Sequence, residues 1–149
     1  MRLSSFSDYS LRVLIYLGLH AGRLATVGEI AAAYGISDNH LTKVAHHLGR
    51  LGYVETVRGK GGGLRLGRGA AEIRLGEVIR GTEVDFALVE CFATGSQCQI
   101  HAACRLPPIL DEALAAMFAV LDRYTLADLL QQPGELTRMI PLRPVGCPG

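Results

Sequence analysis

Three cysteines, Cys91, Cys98 and Cys104, fall within fourteen residues, separated by six and then five positions. Thiolates are ligands for soft or borderline metals and nucleophiles in redox chemistry, so this is the stretch of chain most able to do chemistry. Zinc sites usually place two thiolates on one metal through a tight Cys-x-x-Cys turn, and these gaps are wider than that. A wider loop can wrap a larger object, and iron–sulfur clusters take thiolates from such loops. Spacing leaves three readings open: an iron–sulfur cluster, a zinc or redox-active thiol site, and inert buried thiols. His101 lies inside the loop as a rival ligand. Cys147 has no local partner and is not assigned. A thiol oxidoreductase would need a nucleophile beside a base, and no Cys-x-x-Cys motif supports that here.

The segments that hold this loop are helical by pattern. Before it, Leu75-Gly76-Glu77-Val78-Ile79-Arg80 reads as a short linking helix. After it, Pro107 and Pro108 sit where a helix N-terminus tolerates them. From there to Tyr124 the chain is apolar on almost every face, through Ile109, Leu110, Ala113, Leu114, Met117, Phe118, Val120 and Leu121. Such a helix spans ~27 Å and must be covered on all sides, which a wing and three short helices cannot do; a homodimer is the expectation, with the central helix of a monomeric core as the alternative. Thr125 and Asp128 suggest one more capped turn, from Leu126 to Leu130, and the tail from Pro133 reads as weakly ordered.

The first seventy residues carry a different signal. Leu11, Leu14, Ile15 and Leu19 follow helical spacing behind a possible cap at Ser7 or Asp8. Thr26 precedes Glu29 by three residues, a capping-box spacing that opens a short second helix ending at Gly35. Ser37 can cap a third helix, in which Leu41, Val44, Leu48 and Leu51 form one apolar stripe. Asn39, His40, Lys43, His47 and Arg50 occupy the opposite face. Two short helices across a glycine turn, the second with a polar and basic face, form a helix-turn-helix pattern, although a generic helical hairpin shares it.

The next segment separates the two. Residues 53–58 alternate as a strand, Gly59-Lys60-Gly61-Gly62-Gly63 turns, and residues 64–66 alternate again. A hairpin with a basic, glycine-rich tip directly after a recognition helix is a wing. Arg58 and Lys60 would be drawn to the potential of the minor groove. The glycine run follows no buried parallel strand and opens no helix, so it is not a nucleotide-phosphate cradle. DNA contacts are therefore expected from Ser37, Asn39, His40 and Lys43 of the helix and Arg58 and Lys60 of the wing. Asn39 and His40 are the better base readers, Lys43 and the wing the better phosphate contacts.

Bulk properties agree without deciding. The chain has 149 residues, 49% hydrophobic and 19% charged, with net charge +1, so it can build a core and is not a disordered chain. Between Arg50 and Arg68 five basic residues face one acid, Glu55. No secretory signal is seen at the start and no apolar run is long enough for a membrane span, so a cytoplasmic protein is expected. The fold class expected is mainly α with a small two-stranded β-wing: a winged helix-turn-helix plus a long dimerisation helix. The divisions are residues 1–70 for the DNA-binding domain, 71–105 for the linker helix and cysteine loop, 106–131 for the dimerisation helix and following short helix, and 132–149 for the tail.

The chain resembles the bacterial winged-helix family that contains the nitric-oxide sensor NsrR and the cluster-biogenesis regulator IscR. The resemblance rests on Ser-Phe-Ser-Asp-Tyr-Ser-Leu-Arg at 5–12, Gly-Ile-Ser-Asp-Asn-His-Leu-Thr-Lys-Val at 35–44 and the wing sequence at 52–67. The three cysteines and Tyr-Thr-Leu-Ala-Asp-Leu at 124–129 complete it. It is nearer to the nitric-oxide sensors: the IscR-like members carry a histidine ligand three residues after the third cysteine, and position 107 here is proline. The resemblance implies a cluster, 4Fe-4S ahead of 2Fe-2S, held by Cys91, Cys98, Cys104 and Asp8 of the partner subunit. It further implies a dimeric repressor on a palindromic DNA operator with nitric oxide as signal. A regulator of iron–sulfur supply is the alternative within the family, and a zinc or thiol redox protein the alternative outside it.

Overall fold

A computed structural model describes residues 1–140. In chain order the elements are α1 (Ser5–Leu19), α2 (Val27–Tyr34), α3 (Asp38–Arg50), β1 (Val54–Val57), β2 (Gly63–Leu66), α4 (Leu75–Thr82), α5 (Leu106–Leu121), α6 (Leu126–Leu129) and α7 (Pro133–Met139). The mainly helical class with one small antiparallel sheet is as expected.

Helices α1, α2 and α3 enclose the core, built from Val13, Leu14, Tyr16 and Leu17 of α1, Ile30 and Ala31 of α2, and Leu41, Val44, Ala45 and Leu48 of α3. Burying each such aliphatic side chain contributes about 1.5–3 kcal/mol before entropy, so the helical stripes read from sequence fix the packing. Thr26 caps α2, its hydroxyl accepting from the Glu29 N–H at 3.1 Å. The turn into α3 needs a left-handed residue; Gly35 supplies it at φ +67°, and Ile36 N–H then reaches back to the Ala31 carbonyl at 3.0 Å. Ser37 caps α3, accepting from the His40 N–H.

Glu29 does not complete a capping box. Its carboxylate, nearly buried, accepts from the Tyr16 hydroxyl at 2.5 Å and pairs with Arg23. Burial alone would raise this carboxyl; the hydrogen bonds from Arg23 and Tyr16 and the charge of Arg23 outweigh it and hold it below the ordinary value. Burial and the neighbouring carboxylate push Tyr16 up to about 12.

The cap of α1 also differs from expectation. Ser4 is the N-cap, accepting from the Ser7 N–H at 3.2 Å. Ser7 lies one turn inside, buried, with its hydroxyl 2.8 Å from that of Thr82 at the end of α4. Asp8 lies in the first turn and pairs with Arg12 at 3.0 Å. The α1 start is thus chosen by a contact seventy-five residues away in sequence.

Strands β1 and β2 pair with Val54 opposite Leu66 and Val57 opposite Gly63. Ala25 exchanges both backbone hydrogen bonds with Leu64, which ties the hairpin to the α1–α2 linker. Short α6 is part of this body: Leu126 is fully buried and its N–H bonds the Ile73 carbonyl at 2.8 Å. The region expected as a weakly ordered tail begins with α7, which packs on α1. Residues 141–149, including Cys147, lie outside the described residues.

Candidate functional site

Two surfaces collect the candidate residues. The first is the face of α3 together with the wing. Asn39, His40 and Lys43 are exposed on the first two turns of α3, and Arg58 and Lys60 are exposed at the wing turn. Among the described residues, Lys43, Arg58 and Lys60 form no salt bridge. The wing is held in a tight return: a methyl group on Gly62 would collide with the carbonyl oxygen of Val57. Gly59 and Gly61 adopt φ of +97° and +75°, a region that L side chains avoid.

Tertiary structure revises the charge count of this surface. Arg65 and Glu55 face each other across the sheet, and the guanidinium grips the carboxylate through two hydrogen bonds, 2.9 and 3.1 Å. That hydrogen bonding, with the positive charge beside it, lowers the Glu55 carboxyl. Arg68 stacks over the Tyr53 ring at 4.8 Å and donates to the Leu51 carbonyl. Arg58 and Lys60 are therefore the wing cations left open to an external anion.

Ser37 carries a double duty, since its oxygen already accepts the His40 N–H and its own O–H remains to donate. His47, grouped by sequence with the exposed polar face, is half buried instead. Its Nε2 lies 2.6 Å from the Gly81 carbonyl, and its ring meets Phe6 edge-on at 5.3 Å. His46, absent from the expected contacts, is exposed beside Lys43. Spacing alone could have found it, because it falls on the Asn39–Lys43 stripe.

The second surface is the cysteine loop between α4 and α5. Cys91 lies in a short 3-10 turn at Glu90–Phe92, Cys98 follows the glycine turn at Gly95, and Cys104 directly precedes α5. All three thiols are free and partly exposed. The Leu106 N–H donates to Cys104 Sγ at 3.5 Å, so the sulfur receives an unpaired amide of the helix N-terminus. Among the described residues, no three His, Cys, Asp or Glu groups stand close enough to hold one metal ion, so the loop and Asp8 are not gathered into a single site within this chain. The donor set nonetheless suits iron–sulfur ligation: three thiols on one loop, none consumed in a disulfide. Asp8 is not needed as a helix cap, and its carboxylate is about half exposed.

Helix α5 packs against α4. Phe118 is its buried residue, with Phe86 edge-on at 4.8 Å and the Arg80 guanidinium 4.1 Å above its ring. Arg80 also grips Asp122 with bonds of 2.7 and 2.8 Å. Leu106, Ile109 and Val120 remain 47%, 59% and 46% exposed. Beside them a groove of 660 Å³ runs between Leu3, Phe86, Leu88, Leu110, Leu114 and Met117. No helix among the described residues is long and apolar enough to cross a membrane.

Comparison with known proteins places these features. Residues 3–132 match the Rrf2 family, described as iron-dependent transcriptional regulators. The transcriptional regulator NsrR of Bacillus subtilis is 49% identical over 145 residues, covering 96% of this chain and 99% of that protein. NsrR of Geobacillus kaustophilus is 47% identical over 142 residues, covering 94% and 97%. Among solved structures, T. potens IscR superposes with a TM-score of 0.72 at 25% identity, covering 91% of this chain and 90% of that one. These relatives are helix-turn-helix regulators rather than enzymes, and their winged fold is the one described above. This chain is an NsrR-type DNA-binding transcriptional regulator and belongs to the Rrf2 family.

Proposed function

We propose that this chain is a dimeric cytoplasmic repressor that senses nitric oxide through an iron–sulfur cluster and controls genes of the nitric-oxide stress response. The observation that carries the reading is the position of the cysteine loop. Its three free thiols sit between α4, which is tied to the start of α1, and α5, whose apolar face lies open. In this reading Cys91, Cys98 and Cys104 hold the cluster with Asp8 of the partner subunit, and 4Fe-4S is favoured over 2Fe-2S. When bound, the cluster supplies iron with one oxygen ligand, a weaker partner for iron–sulfur centres than thiolate and hence an opening for nitric oxide.

The chain's own part is mechanical. Movement of the loop is passed to α5 through Cys104 and to α4 through the 83–90 segment. Helix α4 holds α1 by the Ser7–Thr82 contact and by Glu83, which accepts from the Ser4 N–H at 2.7 Å. It also holds α3 by the Gly81–His47 bond. Two recognition helices must sit ~34 Å apart to meet successive half-sites of a palindrome, so a small rotation is costly. A coupling of ~2–3 kcal/mol weakens operator binding on the order of 30–150-fold.

Anaerobic purification, an absorption spectrum and titration with nitric oxide while operator binding is followed would test this. A coloured protein that releases DNA on titration is expected, and Cys98→Ser should abolish both colour and response. A colourless wild-type protein with unchanged DNA affinity ends the sensing proposal. A coloured one that responds to iron depletion and not to nitric oxide favours control of iron–sulfur supply.

A further inference from the structure

Beyond the first two turns of α3, the helix carries basic side chains that the expected contacts leave unused. Asn39, Lys43, His46 and Arg50 follow one another at spacings of four, three and four, which places them on a single stripe of the helix. Lys43, His46 and Arg50 border a pocket of 410 Å³ whose other walls are Phe6, Thr42 and His47. Lys43, His46 and Arg50 are exposed, and among the described residues neither Lys43 nor Arg50 is neutralised by a carboxylate.

Arg50 is held rather than free. Its Nη2 lies 2.9 Å from His47 Nδ1, while His47 Nε2 lies 2.6 Å from the Gly81 carbonyl. A carbonyl can only accept and a guanidinium can only donate. Both bonds are therefore satisfied by one neutral tautomer of His47, with its proton on Nε2 and its lone pair on Nδ1 turned to Arg50. The carbonyl comes from the end of α4 and the ring is backed by Phe6 of α1, so two other helices fix the direction of the guanidinium. One of its five N–H groups is spent on this brace and four remain for an anion.

Geometry supplies the anion. A recognition helix reads base edges with its N-terminal residues. At 1.5 Å per residue Arg50 stands ~16 Å beyond Asn39, further than the ~12 Å width of the major groove. With Asn39 on the bases, the end of the stripe meets the flanking sugar–phosphate backbone. We infer that Lys43, His46 and Arg50 form a phosphodiester-binding pocket running from the middle of α3 to its C-terminal end, with His47 as the positioning residue for Arg50. The inference rests on the DNA-binding reading and adds a contact outside the expected set. A guanidinium already oriented loses less conformational freedom on binding, so the contact strengthens affinity without choosing sequence.

The test uses the full chain and two probes: a 30-base-pair duplex of mixed sequence, and a duplex selected by the wild-type protein from a random pool. Affinity is read by fluorescence anisotropy from about 50 to about 200 mM salt. Arg50→Gln should weaken both duplexes by roughly tenfold at the low end and reduce the salt slope by about one. His47→Gln should weaken binding by a smaller factor and keep the slope, since the charge remains. In the Arg50→Gln background His47→Gln should add nothing, a non-additivity that a purely structural histidine would not show. An unchanged slope in Arg50→Gln, a loss confined to the selected duplex, or additive effects of the two substitutions would each overturn the pocket. If Lys60→Ala flattens the salt dependence while Arg50→Gln does not, the pocket fails and the DNA-binding reading stands. Wild-type protein that binds neither duplex removes both.

Discussion

The wing offers a quantitative check, because its sequence shows three cations and an acid on the hairpin, while its structure leaves only two cations open. Arg58 and Lys60 make no salt bridge among the described residues, whereas Arg65 and Glu55 cancel in a two-pronged pair. Each phosphate neutralised adds about 0.9 to the slope of log affinity against log salt. Replacing Arg58 and Lys60 together by alanine should therefore lower the slope by about 1.8. Over a fourfold rise in salt, from about 50 to about 200 mM, the wild-type protein should then lose about 12-fold more affinity than the variant. The paired replacement Glu55→Gln with Arg65→Gln should leave the slope where it is, since it removes no net charge. Glu55→Gln alone frees Arg65 and should tighten binding and steepen the slope. Titrations of each protein against one mixed-sequence duplex at four salt concentrations decide it. If removing the Glu55–Arg65 pair flattens the slope as much as removing Arg58 and Lys60, the assignment of the open cations is wrong.

Three further outcomes follow from particular contacts. Ile109 is 59% exposed on α5; if the proposed two-fold dimer covers that fraction, the contact is worth ~3 kcal/mol over both copies, so Ile109→Asp should weaken self-association at least a hundredfold, read by sedimentation velocity. Gly62→Ala should open the hairpin at the Val57 carbonyl, costing about 1–3 kcal/mol by overpacking and weakening DNA binding, with thermal melting and anisotropy as readouts. Glu29 is held below its ordinary value when folded, so its contribution to stability is present above the unfolded value and is lost as pH falls through the folded one. Glu29→Gln should cost about 1–2 kcal/mol at neutral pH, tempered by the exposure of Arg23, and should flatten the acid limb of a urea midpoint against pH series.

What the sequence determined by itself is local in origin. The apolar stripe of α3, the caps at Thr26 and Ser37, the left-handed turn at Gly35 and the glycine-rich hairpin are all set by residues within a few positions of one another. Periodicity and turn chemistry report on that range, and so the helix-turn-helix and its wing were legible. The cysteine loop was legible only in part: residue type marked it as a place for metal or thiol chemistry, but gap length left cluster, zinc or redox thiols and inert thiols all open.

Tertiary structure decided everything that depends on a distant partner. Ser4 rather than Ser7 or Asp8 caps α1, because Thr82 buries Ser7. Glu29, at the position of a capping-box acid, turns inward to Tyr16 and Arg23. His47 leaves the polar face of α3 because the Gly81 carbonyl and the Phe6 ring claim it, and Arg65 leaves the pool of open cations because Glu55 stands opposite. Pattern alone made α5 apolar all round; the structure shows which of that surface Phe86, Arg80 and α4 cover and which stays open. A sequence states which groups seek partners. The partners are chosen by burial across the fold, where an unpaired polar group or an uncovered apolar face costs most.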